Sequence, residues 1–175
     1  LLYRGVRPVL WSVVEKTALA AAEVEYHEHT SPTVYVAFKL KDPKPLWRDA
    51  ALVIWTTTPW TLPGNRAIAV GADMAYGLYE VTDVADGSLA TVGQRFFLAC
   101  DLQEAFAAHA KISGLQELDR TNGNDLVGLT ALHPLHALHD DYQFDVPVLA
   151  GDFVTTEAGT GFVHIAPGHG EDDYH

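Results

Sequence analysis

Three adjacent threonines, Thr56, Thr57 and Thr58, close an apolar run and meet Pro59; Trp60, Thr61, Leu62, Pro63, Gly64 and Asn65 follow. Proline has no N–H for a ladder and keeps its neighbour extended, so strand pairing must stop there. The threonine hydroxyls then stand at a strand mouth as donors and acceptors side by side. Pro59, Pro63 and Gly64 fix a turn that brings Asn65 back towards them. Threonine-rich strand ends are also simply good β formers, and a second stretch decides between the two. Gly159-Thr160-Gly161-Phe162-Val163-His164-Ile165-Ala166-Pro167-Gly168-His169-Gly170-Glu171-Asp172-Asp173 contains a short alternating strand. Its alternation puts Phe162 and His164 on one face, Val163 and Ile165 on the other. The Gly-His-Gly loop allows close backbone approach to a ligand. The acidic run after it stands at a helix start, and a carboxylate held beside a pocket binds an ammonium group.

Other chemistries fit less well. No Ser/His/Asp or Cys/His spacing marks a nucleophile, so hydrolysis here would proceed by positioning water. His133, His136 and His139, with Asp140 and Asp141, have a metal-like spacing. Pro134 spoils their alignment on a helix, and no metal is expected. His169 reads as a loop residue capping a backbone group.

The elements that must position these residues are mostly strands. Alternation and turn signals predict strands over Val9–Val14, Val24–His29 and Thr33–Leu40, the last two as a hairpin joined at Ser31-Pro32. Further strands are expected at Ala51–Thr56, Ala67–Val70, Tyr76–Val81, Ala90–Val92 and Arg95–Leu98, with a turn at Asp86-Gly87. One clear helix covers Leu102–Ala110, capped by Asp101 with Glu104 at capping-box spacing, and packs on the sheet through Leu102, Ala105, Phe106 and His109. From Gly114 to Asn124 the chain reads as polar loop, and strands return near Leu126–Leu132, Val146–Ala150 and Gly161–Ile165. The fold expected is mostly β with peripheral helices, built on a β-barrel or closed sheet.

Composition narrows the setting. A chain of 175 residues, 48% hydrophobic and 19% charged, suits one domain with a real core. No run approaches the roughly 20 apolar residues of a membrane span and no leader opens the sequence, which points to a cytoplasmic setting. The single Cys100 forms no internal disulfide and reads as a small buried apolar side chain. A net charge of −12 is unlike that of a stand-alone nucleic-acid binder, although Arg4, Arg7, Lys16, Lys39, Lys41, Lys44 and Arg48 give the first quarter a basic bias. The start at Leu1-Leu2 and the stop at His175 inside the acidic loop suggest an excised domain.

Together the two stretches resemble the editing domain of isoleucyl-tRNA synthetase, the large insertion in the catalytic domain of that class I enzyme. Arg7-Pro8-Val9-Leu10-Trp11, Thr17-Ala18-Leu19-Ala20 and Ala22-Glu23-Val24-Glu25-Tyr26 fit the same family. The related valyl and leucyl enzymes carry an Arg-containing threonine motif and another residue where His164 stands. Gly64 and Ala21 depart from the family's usual alanine and glutamate. The resemblance implies a single editing domain over residues 1–175 with a β-barrel core and peripheral helices. It implies hydrolysis of the ester joining a wrong amino acid, chiefly valine, to the 3′ end of isoleucine tRNA. Asp173 would hold the α-ammonium, and Thr57 and Thr58 would contact the ester and its water. Thr56 and Asn65 would complete a polar wall, His164 would limit side-chain size and Trp60 would shape the floor. The implied partners are that tRNA end and the rest of the synthetase, with no membrane. No cofactor is expected in this domain, ATP and Mg²⁺ belonging to the synthetic one. The competing readings are a tRNA-docking barrel without catalysis and the editing domain of a valyl or leucyl enzyme.

Overall fold

A run that is apolar on both faces belongs in the middle of a sheet, covered on both sides. Ala50–Thr56 is such a run, and in the computed structural model, which describes residues 2, 4–5, 9–170 and 172–174, it is a central strand. Arg7, Pro8 and Glu171 of the motifs above lie outside those residues, and of Asp172 only the backbone is described. In chain order the strands are β1 (Trp11–Ser12), β2 (Thr17–Ala18), β3 (Val34–Lys41), β4 (Ala50–Thr56), β5 (Ala67–Val70), β6 (Ala75–Val84), β7 (Arg95–Ala99), β8 (Ile112–Asn122), β9 (Thr130–Leu132), β10 (Asp145–Ala150) and β11 (Phe162–Ile165). Two α-helices accompany them, α1 (Gln103–Ala110) and the single turn α2 (Gly123–Leu126). β1 and β2 form a separate ribbon, and the other nine strands form one mixed sheet in the order β11-β5-β10-β9-β3-β4-β7-β6-β8.

One core joins the two ends of that order. Phe38, Leu52, Ile54, Ile68, Tyr76, Phe97, Val148 and Phe162, from seven strands, are buried in a single cluster. The sheet therefore curls around it. The N–H of Ala99 at the end of β7 donates to the carbonyl of Thr160, just before β11, at 2.8 Å. Tyr76 Oη reinforces the junction by donating to the Gly161 carbonyl at 2.6 Å. Burial pushes that phenol's pKa up to about 12, so it stays a donor at any ordinary pH. Among the described residues no ladder joins β11 to β8, and the closed barrel expected from sequence is seen only as this curl.

The opposite face of β4, β6 and β7 is covered by α1. Phe106 meets Tyr35 edge-on at 5.3 Å and Phe96 at 5.9 Å. The helix lacks the expected cap: a 3-10 turn over Cys100–Leu102 leads into it, Leu102 holds the N-cap position, and no side chain caps it. Cys100 is only half-buried.

Several expected elements differ. Val24–His29 forms no strand; β3 pairs with β4 along Val34–Lys39 and with β9 at Leu40 and Lys41. The predicted hairpin partner is therefore replaced by β4, in the register Val34↔Thr56. The strand over Val9–Val14 shrinks to Trp11–Ser12. Ala90–Val92 is a turn, since Ser88 Oγ and Gln94 Oε1 accept the N–H groups of Ala90 and Thr91 locally. The polar stretch after Gly114 is part of the longest strand, β8: an edge strand has one solvated side, so polarity there mimics a loop. The strand expected from Leu126 begins only at Thr130, after α2, where Asn122 Oδ1 accepts the Asn124 N–H. Among the described residues no helix is long and apolar enough to cross a membrane.

Candidate functional site

The chain leaves β4 at Thr56, turns through a 3-10 helix over Pro59–Gly64 and enters β5 at Ala67. Pro59 suits the first position of that helix, where its missing N–H goes unneeded. In a 3-10 helix residues three apart eclipse, so Thr61 lies under Thr58 and its hydroxyl donates to the Thr58 carbonyl at 2.8 Å. β5 then pairs antiparallel with β11, setting His164 opposite Ile68. That register brings the imidazole to the turn.

Thr56 Oγ1 accepts the Thr58 N–H at 3.1 Å, and the Thr56 and Thr58 hydroxyls are 3.2 Å apart. His164 Nε2 lies 2.8 Å from Thr61 Oγ1, and His164 Nδ1 lies 3.2 Å from Asn65 Nδ2. Both ring nitrogens are engaged. Burial is the main cause that lowers the His164 pKa, with smaller contributions from His169 and His133; the Asp173 carboxylate opposes them. The ring is neutral at physiological pH.

The hydroxyls and the ring line a cavity of about 370 Å³. Trp55, Thr56, Thr58, Trp60 and Thr61 form one side, Val163, His164 and Ala166 another, and His169, Gly170 and Asp173 the third. Asp173 reaches it from a 3-10 turn over Asp172–Tyr174, and its Oδ2 accepts the Ala166 N–H at 2.7 Å. Oδ2 thus anchors the carboxylate to the end of β11 at the edge of the cavity.

The sequence-predicted residues divide accordingly. Thr56, Thr58, Trp60, His164 and Asp173 come together around the cavity. Trp60 is 61% exposed and so stands at the mouth rather than the floor. Thr57 is exposed and does not line the cavity; it lies at a bend just past the end of β4, across which Thr56 Oγ1 takes the Thr58 N–H, and its own carbonyl accepts from Ser31 Oγ at 2.8 Å. Asn65 is fully buried behind His164 rather than in the wall. Thr61 was missed, though a Thr-x-x-Thr spacing starting next to a proline is a readable 3-10 signal. His169, set aside as a loop residue, faces the cavity, and a Cβ at Gly64 would come within 3.2 Å of its ring.

His133, His136 and His139 do not gather. His133 is buried, donates from Nε2 to the Leu62 carbonyl at 3.0 Å, accepts the Leu135 N–H at Nδ1, and stacks on Tyr142 at 4.8 Å. Its work is to brace the site turn from behind. Among the described residues no group of three or more His, Cys, Asp or Glu side chains is placed to hold a metal ion.

No protein-family model matches the chain. In sequence it is 50% identical over 173 residues to isoleucine-tRNA ligase of Rhodopseudomonas palustris, a match covering 99% of this chain and 17% of that protein. Isoleucine-tRNA ligase of Gluconobacter oxydans is 49% identical over 176 residues, covering 99% and 18%. The chain thus spans less than a fifth of the length of these relatives. In fold it is similar to the editing domain of the P. knowlesi cytosolic leucyl-tRNA synthetase, with a TM-score of 0.63, 12% identity, and coverage of 86% of this chain and 64% of that one.

Proposed function

We propose, for a chain that belongs to the isoleucine-tRNA ligase family and has the fold of a synthetase editing domain, that its cavity hydrolyses the ester joining valine to the 3′ end of isoleucine tRNA. One methylene is worth only about 1 to 3 kcal/mol in an apolar pocket, isoleucine-over-valine selection by these synthetases being the general example of that limit. A second and smaller sieve is then required. The observation that carries the reading is the convergence of the Thr56 and Thr58 hydroxyls, the His164 ring and the Asp173 carboxylate on one cavity.

In this reading the Asp173 carboxylate, anchored by the Ala166 N–H, holds the α-ammonium. Thr58 and Thr56 direct the ester and the attacking water. His164 closes the end where the side chain lies and rejects isoleucine by size. It is not the base: Asn65 occupies the Nδ1 lone pair and Nε2 faces Thr61. A hydroxyl of the terminal ribose helps to position the water. Thr57, outside the cavity, has no part in the contacts. The partners in this reading are the tRNA end and the rest of the ligase, in the cytoplasm, with ATP and Mg²⁺ serving amino-acid activation elsewhere in that enzyme.

The test is deacylation of valyl-tRNA by the parent ligase carrying Asp173→Ala. A charge-assisted hydrogen bond is worth about 1.5 to 3 kcal/mol, so the rate should fall at least ~10- to 100-fold. Cleavage at the parent rate would remove Asp173 as the anchor. A parent enzyme that cleaves no valyl ester at all would make the domain a docking module.

A further inference from the structure

We propose that Asn65 is the positioning residue that fixes the tautomer, and so the ring orientation, of His164, and thereby sets the size limit of the cavity from behind. The inference rests on the sieve reading of His164. Asn65 is 0% exposed and does not line the cavity, so it can act on a substrate only through another group.

The hydrogens in this region are dictated by two backbone carbonyls, which can only accept. Asn65 Nδ2 lies 2.9 Å from the Ala67 carbonyl, so that end of the amide must be the NH₂. The same NH₂ faces His164 Nδ1 at 3.2 Å, and a donor there requires a bare lone pair on Nδ1. The proton of the neutral ring is therefore on Nε2, and it is donated to Thr61 Oγ1 at 2.8 Å. Thr61 can accept it because its own hydrogen goes to the Thr58 carbonyl. Ala67 and Thr58 leave one arrangement in which every contact has a donor and an acceptor.

Asn65 Oδ1 carries the same message. It is buried and has no hydrogen-bond partner among the described residues. Buried polar atoms seldom go unpaired, and an exception calls for a reason. Turning the amide over would set Oδ1 against the Ala67 carbonyl, so the acceptor end is left idle to keep the donor end on His164. With the opposite tautomer the ring would present N–H to the NH₂ and lose a donor towards Thr61, and it would have to rotate. Rotation moves the wall that meets the substrate side chain. Protonation has the same effect, since both nitrogens would then donate. The ionisable groups around the ring are Asp173, His169 and His133, and only Asp173 favours the charged form.

Long-range nitrogen–proton NMR on the His164 ring of this chain reads the tautomer directly. The expected state is a neutral ring with Nε2–H and bare Nδ1; an Nδ1–H ring would overturn the proposal with no variant needed. Asn65→Leu, close in shape but without a donor, should then show a mixture of tautomers. In the parent ligase the same substitution should cut the preference for valyl over isoleucyl ester by at least ~10-fold, through faster cleavage of the isoleucyl ester. A single Nε2–H tautomer retained in Asn65→Leu, or a changed tautomer with unchanged preference, overturns it. Failure of the sieve reading itself is distinguishable: it would show as continued rejection of isoleucine by His164→Ala, whatever the tautomer in the parent chain.

Discussion

Replacing His164 with alanine tests the assignment of the cavity wall. The imidazole is 9% exposed and shares its strand face with Phe162, whose ring is committed to Tyr76 at 4.8 Å and so does not swing in to refill the space. Isoleucine exceeds valine by one methylene, and forcing that group against a filled wall costs about 1 to 3 kcal/mol. Hydrolysis of the isoleucyl ester should therefore rise by roughly 5- to 150-fold, at about tenfold per 1.4 kcal/mol. Hydrolysis of the valyl ester should persist, because Asp173 and the threonines are untouched. The substitution also removes a donor from Thr61 and an acceptor from Asn65 and opens a void, for a stability loss of about 2 to 4 kcal/mol. A melting curve must accompany the kinetics. Deacylation of valyl-tRNA and isoleucyl-tRNA by the parent ligase and its variant, measured side by side, decides the matter. A parallel fall in both rates would mean that the ring acts as a base, and unchanged rejection of isoleucine would mean that the wall lies elsewhere.

Acid should loosen the fold before carboxylates titrate. Burial holds His133 and His164 below their ordinary value of 6.5, so the unfolded chain takes up protons first. Their contribution to stability is complete above about pH 6.5 and declines as pH falls towards the folded values. A melting temperature flat from about pH 7 to 5 would refute this. The isolated chain, at −12, should bind tRNA weakly and with a shallow salt slope; submicromolar binding at physiological salt in a mobility-shift titration would reveal an overlooked basic face. Gly161→Ala should cost about 2 to 4 kcal/mol, because φ is +82° and the new Cβ would sit 2.4 Å from that of Ala99, and a melting temperature within a degree or so of the parent would refute it.

What the sequence made legible depended on how far each residue's partner lay along the chain. β4 and β5 are dense in apolar residues, and their burial on both faces follows from composition alone. The alternation in Phe162–Ile165 was enough to put His164 and Phe162 on the same side. The meeting of His164 with Thr61 and Asn65 was not legible, because it depends on which strand lies beside β11, and β5 is far away in sequence. The same cause applies to Val24–His29, whose residues suit a strand: the partner of β3 along Val34–Lys39 is β4, later in the chain. Thr57 was misjudged for a local reason. The chain bends at Thr57, one residue past β4, and the Thr56 hydroxyl reaches across it to the Thr58 N–H, which leaves the middle threonine exposed.

The row of hydrogen bonds from Asn65 through His164 and Thr61 to Thr58 starts at an amide and ends at a peptide carbonyl. Neither terminus trades protons with water near neutral pH, so the row is a wire insulated at both ends: it orders hydrogens and conducts none. Under the proposed hydrolysis, the proton shed by the attacking water leaves by another route than this row: through the substrate, through His169 on the cavity lining, or through solvent at the mouth, where Trp60 stands exposed. Proton traffic is thereby separated from size selection. A change at the mouth can alter the rate for every ester alike and leave untouched which amino acid is refused.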